Sequence, residues 1–263
     1  MEQGGWPMSR QESRAKRRGE LAVTLLLAGV AVLAAGCAGP PRTSARSELL
    51  RSVLPSTVQL LAERPDGGRR AASGVVVASD PVRGCTWVLT AGHFVAPPVP
   101  ETIYIRTTGG RERFRATVVR ANAESDLALL FVPGLVLPPT RRRELAHLGD
   151  DVWVVAFPRG RQMTVASGTV SQVGTGSETD ATEGPVRLID TSVSYGASGA
   201  GVFDAETGEL IGVVEGYRTA QIAARDAPDR VMEIPVPGET LVISAETIRR
   251  FLVGSELEAF ERR

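Results

Sequence analysis

An all-β fold, of barrels or sandwiches, is predicted for the folded part of this chain by three observations. Short runs rich in Val, Ile and Thr recur through the sequence. Gly, Pro, Asp and Asn punctuate them closely, the pattern of strands joined by tight turns. The 28 Gly and 17 Pro make up about 17% of the 263 residues, against ~12% in an average protein. Helical patterning is confined to the two ends of this region, so repeated βαβ units are not expected.

The N-terminal 36 residues stand apart. A basic cluster, Arg14 to Arg18, precedes Leu21 to Ala35, an apolar run broken only by Thr24 and Gly29. At 15 residues it is shorter than the ~20 of a membrane-spanning helix. A basic head, a short apolar core and a small-residue exit describe a secretory signal. The exit Leu33-Ala34-Ala35-Gly36-Cys37 resembles a bacterial lipobox, which implies lipidation of Cys37 after cleavage at 36/37. Plain cleavage and an uncleaved anchor remain alternatives, because Ala34 stands where a larger aliphatic residue is usual. Arg17-Arg18 suggests twin-arginine export only weakly, since Glu20 follows closely. Residues 37–48 read as a flexible tether.

The folded region opens with one turn of helix at Leu49 to Leu54. Six strand-like runs follow: 57–61, 74–78, 86–90, 102–106, 115–120 and 127–132. Three prolines and the run Arg141 to Arg143 interrupt the pattern, and that arginine run reads as a solvated linker surface. Further strands are expected at 151–157, 163–173, 186–190, 201–203, 209–214, 231–234 and 239–243. A closing helix follows, capped by Ser244, with Ile248, Phe251 and Leu252 on one face for packing on the second set of strands. The divisions are thus 49–138, 139–243 and 244–263.

Composition excludes several function classes. Basic and acidic side chains balance at 30 each. Removing residues 1–36, with five basic and three acidic groups, leaves 25 against 27, so no nucleic-acid footprint is expected. Lys16 is the only lysine, an effect of coding bias. With two cysteines, Cys37 and Cys85, and two histidines, His93 and His147, no metal site or cofactor is expected. Cys85 is expected to be a buried or free thiol.

Three groups carry chemistry. Thr90-Ala91-Gly92-His93 ends a hydrophobic strand, Ser125-Asp126-Leu127-Ala128-Leu129-Leu130 opens another, and Gly196-Ala197-Ser198-Gly199 is a turn of small residues that can present a hydroxyl. Each alone matches many structural loops. Together, in the order His, Asp, Ser and all at strand–loop junctions, they are specific. A serine hydroxyl needs a base and a preformed oxyanion site to attack a carbonyl. The α/β-hydrolase order Ser–acid–His fails, because both histidines precede Ser198, and Ala200 breaks the Gly-x-Ser-x-Gly elbow. The subtilisin order would need Asp126 with His147 and an α/β sheet that the pattern lacks.

These motifs resemble those of the trypsin-like, chymotrypsin-fold serine proteases, in the bacterial HtrA-like branch without a PDZ domain. The resemblance runs from about Leu49 to Leu252. It extends to Leu148-Gly149-Asp150, to Ala166-Ser167-Gly168-Thr169-Val170 and to Leu210-Ile211-Gly212-Val213-Val214. It implies two six-stranded antiparallel β-barrels with a short C-terminal helix and an active cleft between the barrels. It also implies a catalytic triad His93, Asp126 and Ser198, and an oxyanion hole from the N–H groups of Gly196 and Ser198. Substrate contacts would come from Ser192 and Val193 at the pocket base and Glu215-Gly216-Tyr217 at its wall. The implied partner is a polypeptide, cut after a small or medium aliphatic residue. With Cys37 lipidated, the protein would be anchored to the membrane of the bacterial cell envelope, on the periplasmic or extracytoplasmic face. The oligomeric state is not legible.

Departures from the family pattern give further expectations. Ala197 replaces an acid that pairs with a newly cut N-terminus in trypsin-type zymogens, so that activation switch is absent. Ala200-Gly201 replaces Gly-Pro and is expected to loosen or reshape the turn. Gly92 replaces Ala and is expected to matter little. A protease-fold binding or sensor protein without turnover, and an esterase using the same residues, are the competing readings.

Overall fold

In a computed structural model of the protein, residues 43–96, 101–174, 181–224, 227–255 and 257 are described. The signal segment and Cys37 lie outside them. Contacts group residues 46–263 as one unit and residues 1–45 as another. The helix α1 (Thr43–Val53) begins inside the expected tether and takes in residues 43–48. A 3-10 turn at Leu54–Ser56, with Pro55 in its first turn, ends it.

Six strands then close the first barrel: β1 (Thr57–Glu63), β2 (Arg69–Asp80), β3 (Cys85–Ala91), β4 (Thr102–Arg106), β5 (Phe114–Asn122) and β6 (Leu127–Pro133). Their order round the barrel is β1-β2-β3-β6-β5-β4, all antiparallel. A four-residue helix, α2 (Gly92–Val95), follows β3. After a short strand β7 (Ala146–His147), the second barrel is built from β8 (Asp151–Ala156), β9 (Thr164–Val173), β11 (Val186–Ile189), β12 (Gly201–Asp204), β13 (Leu210–Ala224) and β14 (Ala227–Ser244). Its order is β11-β14-β13-β12-β8-β9, and the small strand β10 (Glu183–Gly184) pairs with β7. Closure leaves no unpaired edge in either barrel. The expected all-β class, two six-stranded barrels and closing helix are all present.

Alternating strand residues fill each barrel. Val58, Leu60, Val76, Val88, Ile105 and Leu130 pack inside the first. Val152, Val154, Ile189, Val202, Ile211 and Val214 pack inside the second. A third cluster joins them: Val75, Trp87, Leu89 and Leu127 of the first barrel meet Val155, Phe203, Leu210 and Ile243 of the second. The closing helix α3 (Ala245–Leu252) is capped by the Ser244 hydroxyl, which accepts from the Thr247 N–H. Its Ile248, Phe251 and Leu252 enter this inter-barrel cluster instead of packing on the second barrel alone. Arg120 of β5 stacks on Phe251 at 5.2 Å and donates to the Val253 carbonyl, tying the helix to the first barrel.

Two departures from the sequence reading have physical causes. The expected strands 231–234 and 239–243 are one strand, β14, which pairs with an extended β13 in a long hairpin. Pro235, Pro237 and Gly238 hide that continuity, yet such residues are tolerated where the ladder is irregular, and register shifts mark this hairpin. The arginine run is also not uniformly solvated. Arg143 donates to Asp150 at 2.9 Å and to the buried Asp204 at 2.6 Å. Asp204 in turn accepts from the N–H groups of Glu206 and Thr207, closing the β12–β13 turn.

Candidate active site

The end of β3 delivers His93 into α2. Phe94, buried beneath the helix, fixes its orientation. Arg70 of β2 stacks on the Phe94 ring at 5.2 Å and donates to the Phe94 carbonyl at 2.8 Å. Its guanidinium also pairs with Glu101, whose side chain is only 2% exposed and is shared with Arg64. Hydrogen bonding to Arg70 holds the Glu101 carboxyl below its ordinary pKa, and Glu101 raises that of Arg70. Thus a salt-bridged arginine braces the element carrying the histidine. Neither Arg70 nor Glu101 belongs to a sequence motif, and only the β1–β4 closure brings Glu101 to Arg64 and Arg70.

Asp126 follows a turn in which the Asn122 side chain accepts from the Ser125 N–H at 2.8 Å. Its φ is +48°, a left-handed conformation that aspartate tolerates better than most residues. In that conformation it holds His93 twice. Oδ1 accepts from the His93 backbone N–H at 2.6 Å, and Oδ2 pairs with Nδ1 at 2.8 Å. The Asp126 carbonyl also accepts from the Gly92 N–H at 2.7 Å. A carboxylate at Nδ1 keeps the ring proton there and leaves the Nε2 lone pair outward. This hydrogen bond is the main cause of a raised His93 pKa. Partial burial opposes it, the charges of Asp126 and Glu215 reinforce it, and Arg70 opposes it.

Gly92 matters more than the sequence reading expected. A Cβ built there would lie 2.9 Å from Asp126 C and Leu127 N, so strand end and acid turn meet more closely than an alanine permits without a shift.

Ser198 is half-buried in a turn tightened by Ala197 N–H to Ser194 C=O at 3.0 Å and Ala200 N–H to Ala197 C=O at 2.9 Å. The turn is therefore closed despite Ala200-Gly201. It docks on the first barrel. The Ser73 N–H of β2 donates to the Ser198 carbonyl at 3.0 Å. A Cβ on Gly199 would lie 2.3 Å from Thr90 Oγ1 and 2.9 Å from Ala91 N, atoms just upstream of His93. No hydrogen bond joins Ser198 Oγ to the imidazole among the described residues. Catalytic hydrogen bonds are commonly long in the absence of substrate and tighten when it binds.

Gly196 has φ +93°, open to glycine alone at little cost. The Tyr195 carbonyl accepts from the Arg159 N–H at 2.7 Å. In a trans peptide the N–H points opposite to the C=O, so the Gly196 N–H faces away from Arg159. Among the described residues neither that N–H nor that of Ser198 has an acceptor. Two unused donors flank the serine.

The expected substrate-contacting residues are more scattered. Ser192 is exposed, and Val193 packs against the second-barrel core. Gly216 and Tyr217 are half-buried on β13. Glu215 falls at a register shift between Val214 and Gly216 and lines a cavity of about 430 Å³ shared with Ser125, Asp126 and Ser244. It is exposed overall, yet partial loss of hydration and the facing Asp126 charge raise its carboxyl pKa, with His93 acting oppositely. Glu215 is expected at a pocket wall, and its proximity to the His–Asp pair carries no mark in the sequence. Cys85 is buried and free.

A model of the trypsin-like peptidase domain matches residues 72–213, more than half the chain and the whole stretch that holds His93, Asp126 and Ser198. The chain belongs to the trypsin-like peptidase family. This trypsin-like peptidase is 27% identical over 217 residues to a probable periplasmic serine endoprotease, DegP-like, of Ectopseudomonas mendocina, covering 80% of this chain and 43% of that protein. It is 33% identical over 136 residues to serine protease Rv3671c of Mycobacterium tuberculosis, covering 49% of this chain and 33% of that protein. The chain thus spans less than half the length of these curated relatives. Among solved structures, the active form of the Rv3671c protease superposes with a TM-score of 0.58 at 24% identity, covering 83% of this chain and 89% of that one. The serine endoprotease from Yersinia pestis does so at 0.58 and 20% identity, covering 78% and 64%. Both show the same fold.

Proposed function

We propose that this trypsin-like peptidase is a serine endopeptidase of the HtrA type acting outside the cytoplasm through His93, Asp126 and Ser198. The reading is carried by the paired imidazole of His93, with no partner on Nε2 among the described residues, and by a turn docked on the same barrel that presents Ser198 and two unused N–H donors. Ser198 Oγ attacks the peptide carbonyl carbon as its proton passes to His93 Nε2. Asp126 keeps the imidazole tautomer and stabilises the cation. The carbonyl electron pair moves to oxygen, where the N–H groups of Gly196 and Ser198 receive it, a term of about 3–4 kcal/mol per donor. The C–N bond then breaks, the amine leaves with the proton from His93, and water hydrolyses the acyl-enzyme by the same steps in reverse.

The substrate is a polypeptide, and Glu215, Gly216 and Tyr217 of β13 flank its path, with Ser192 and Val193 at the pocket base. The relatives' description as periplasmic and the N-terminal signal pattern support an envelope location. Lipidation at Cys37 is the proposed anchor. A fluorophosphonate probe tests the activity: the wild-type chain labels and Ser198→Ala does not. Failure of well-folded wild-type protein to label overturns the assignment in favour of a fold without turnover. Casein against nitrophenyl-ester hydrolysis separates a peptidase from an esterase. Globomycin, which blocks lipoprotein processing, should accumulate the precursor, and labelled palmitate should enter the wild type but not Cys37→Ala.

A further inference from the structure

Ala197 cannot form the acid-to-N-terminus latch of trypsin-type zymogens, yet the turn around Ser198 is ordered by hydrogen bonds. Two of the bonds that hold it come from one residue of the other barrel. Ser73, on β2, is fully buried. Its hydroxyl donates to the Gly196 carbonyl at 2.8 Å and accepts from the Phe157 N–H at 2.9 Å. Its backbone N–H donates to the Ser198 carbonyl at 3.0 Å, and its carbonyl accepts from Thr90 Oγ1 at 2.8 Å. Ser73 thus touches the segment before Ser198, Ser198 itself and the strand leading to His93.

We propose that the Ser73 hydroxyl is the positioning group that fixes the oxyanion turn in this chain, in place of a latch at 197. The inference rests on the reading of Ser198 as nucleophile. It reaches one of the two peptide planes flanking Gly196 directly and lies close in sequence to the anchor of the other. The plane after Gly196 is held directly, through the Gly196 carbonyl. The plane before it is held by Arg159 N–H on the Tyr195 carbonyl, and Arg159 lies two residues past the Phe157 N–H that Ser73 accepts. Glycine imposes little conformational preference of its own, so the shape at Gly196 rests on the bonds that neighbouring groups make to it. Arg159 sits at φ +54°, a left-handed conformation that persists only where surrounding contacts enforce it. One hydroxyl, with one donor and one acceptor in use, ties these segments together. It acts across the barrel interface, so the nucleophile turn keeps its shape only while the barrels stay in register.

Ser73→Ala removes both bonds, and Ser73→Cys keeps the shape with a weak donor. Loss of one oxyanion donor costs about 10²–10³ in kcat, which bounds the expected fall in both variants when the turn is released. KM should change little, and the acid limb of the pH–rate profile should stay, because His93–Asp126 is untouched. Amide hydrogen exchange at 194–198 should quicken in both variants while the melting transition of the barrels remains cooperative. Wild-type kcat in Ser73→Cys, or a loss no larger than the loss of folded protein, overturns the proposal. Exchange also decides the case in which the wild type itself is inert. Faster exchange at 194–198 then upholds the strut while the protease reading falls, and unchanged exchange removes the strut.

Discussion

Asp126→Asn tests the proposed chemistry where the geometry is tightest. The carboxylate accepts two hydrogen bonds from His93, at 2.6 Å from the backbone N–H and at 2.8 Å from Nδ1. Hydrogen bonds to a charged group contribute about 1.5–3 kcal/mol each, so the two together amount to about 3–6 kcal/mol. At 1.36 kcal/mol per tenfold, that corresponds to roughly 10²–10⁴ in kcat/KM. Those figures are for losing both bonds; asparagine can keep one acceptor for the His93 N–H, so its direct loss is about 1.5–3 kcal/mol, roughly 10–10², but it then turns an NH₂ group toward Nδ1. The ring proton is driven to Nε2, the atom that must accept from Ser198, which takes the loss to about 10⁴. The assay is kcat/KM on a peptide substrate, with fluorophosphonate inactivation as an independent measure of acylation. The pH profile supplies a second readout. In the proposed mechanism neutral His93 is the working form, and its pKa is raised chiefly by the bond to Asp126, so the wild type is expected to lose activity early as pH falls. Removing that bond lowers the pKa and moves the acid limb to lower pH. A loss below tenfold in folded protein, or an unmoved limb, refutes the reasoning.

Glu215→Gln should also shift the acid limb to lower pH, because one negative charge that favours the His93 cation is removed; an NMR titration of His93, with His147 as internal control, checks it directly. Gly199→Ala should destabilise the fold by about 2–5 kcal/mol in chemical denaturation, from about 1–2 for the left-handed conformation and about 1–3 for contact with Ser73 and Thr90. A loss under 1 kcal/mol would show that the turn relaxes away from the first barrel. Glu101→Gln should cost stability near the lower end of the ~3–5 kcal/mol for breaking a buried pair, because Arg64 and Arg70 remain partly solvated. The Glu101 pKa is depressed when folded, so the pair's contribution is present above the ordinary carboxylate range and is lost as pH falls through the folded value. The gap between wild type and variant should close in acid; a constant gap points to packing alone.

Strand-forming segments were legible because a pleated, half-buried strand leaves a local period in the sequence, and β4 falls on the expected 102–106. The long hairpin was not, because Pro235, Pro237 and Gly238 mimic a turn where the pairing continues. His93 and Asp126 were legible because each sits at a strand junction with characteristic neighbours, and the fold brings them together at 2.8 Å. The residues that hold them had no such mark. Ser73 reads as one small residue in a strand, and its role arises from Gly196, 123 positions away. Glu215 gains its field at His93 from a register shift in β13 that no periodicity signals. Arg143 looked like part of a solvated run because a buried partner, Asp204, lies 61 positions on. Sequence neighbours mark the groups proposed to carry chemistry, whereas the groups that orient them are set by closure of the barrels.

In the proposed mechanism, that difference locates where activity is controlled. Every bond that joins His93 to Asp126 is made within the first barrel. The Ser198 turn instead divides its anchors. Ser73 comes from the first barrel, while Arg159 and the Val214 carbonyl, which accepts the Gly199 N–H at 2.7 Å, come from the second. The cluster of Trp87, Leu89, Phe203 and Leu210 fixes the distance between those anchors. A closely packed interior transmits small displacements instead of absorbing them. Loosening this cluster is therefore expected to degrade the turn before it disturbs the imidazole pair, so that the proposed acylation fails while His93 still titrates as in the intact protein.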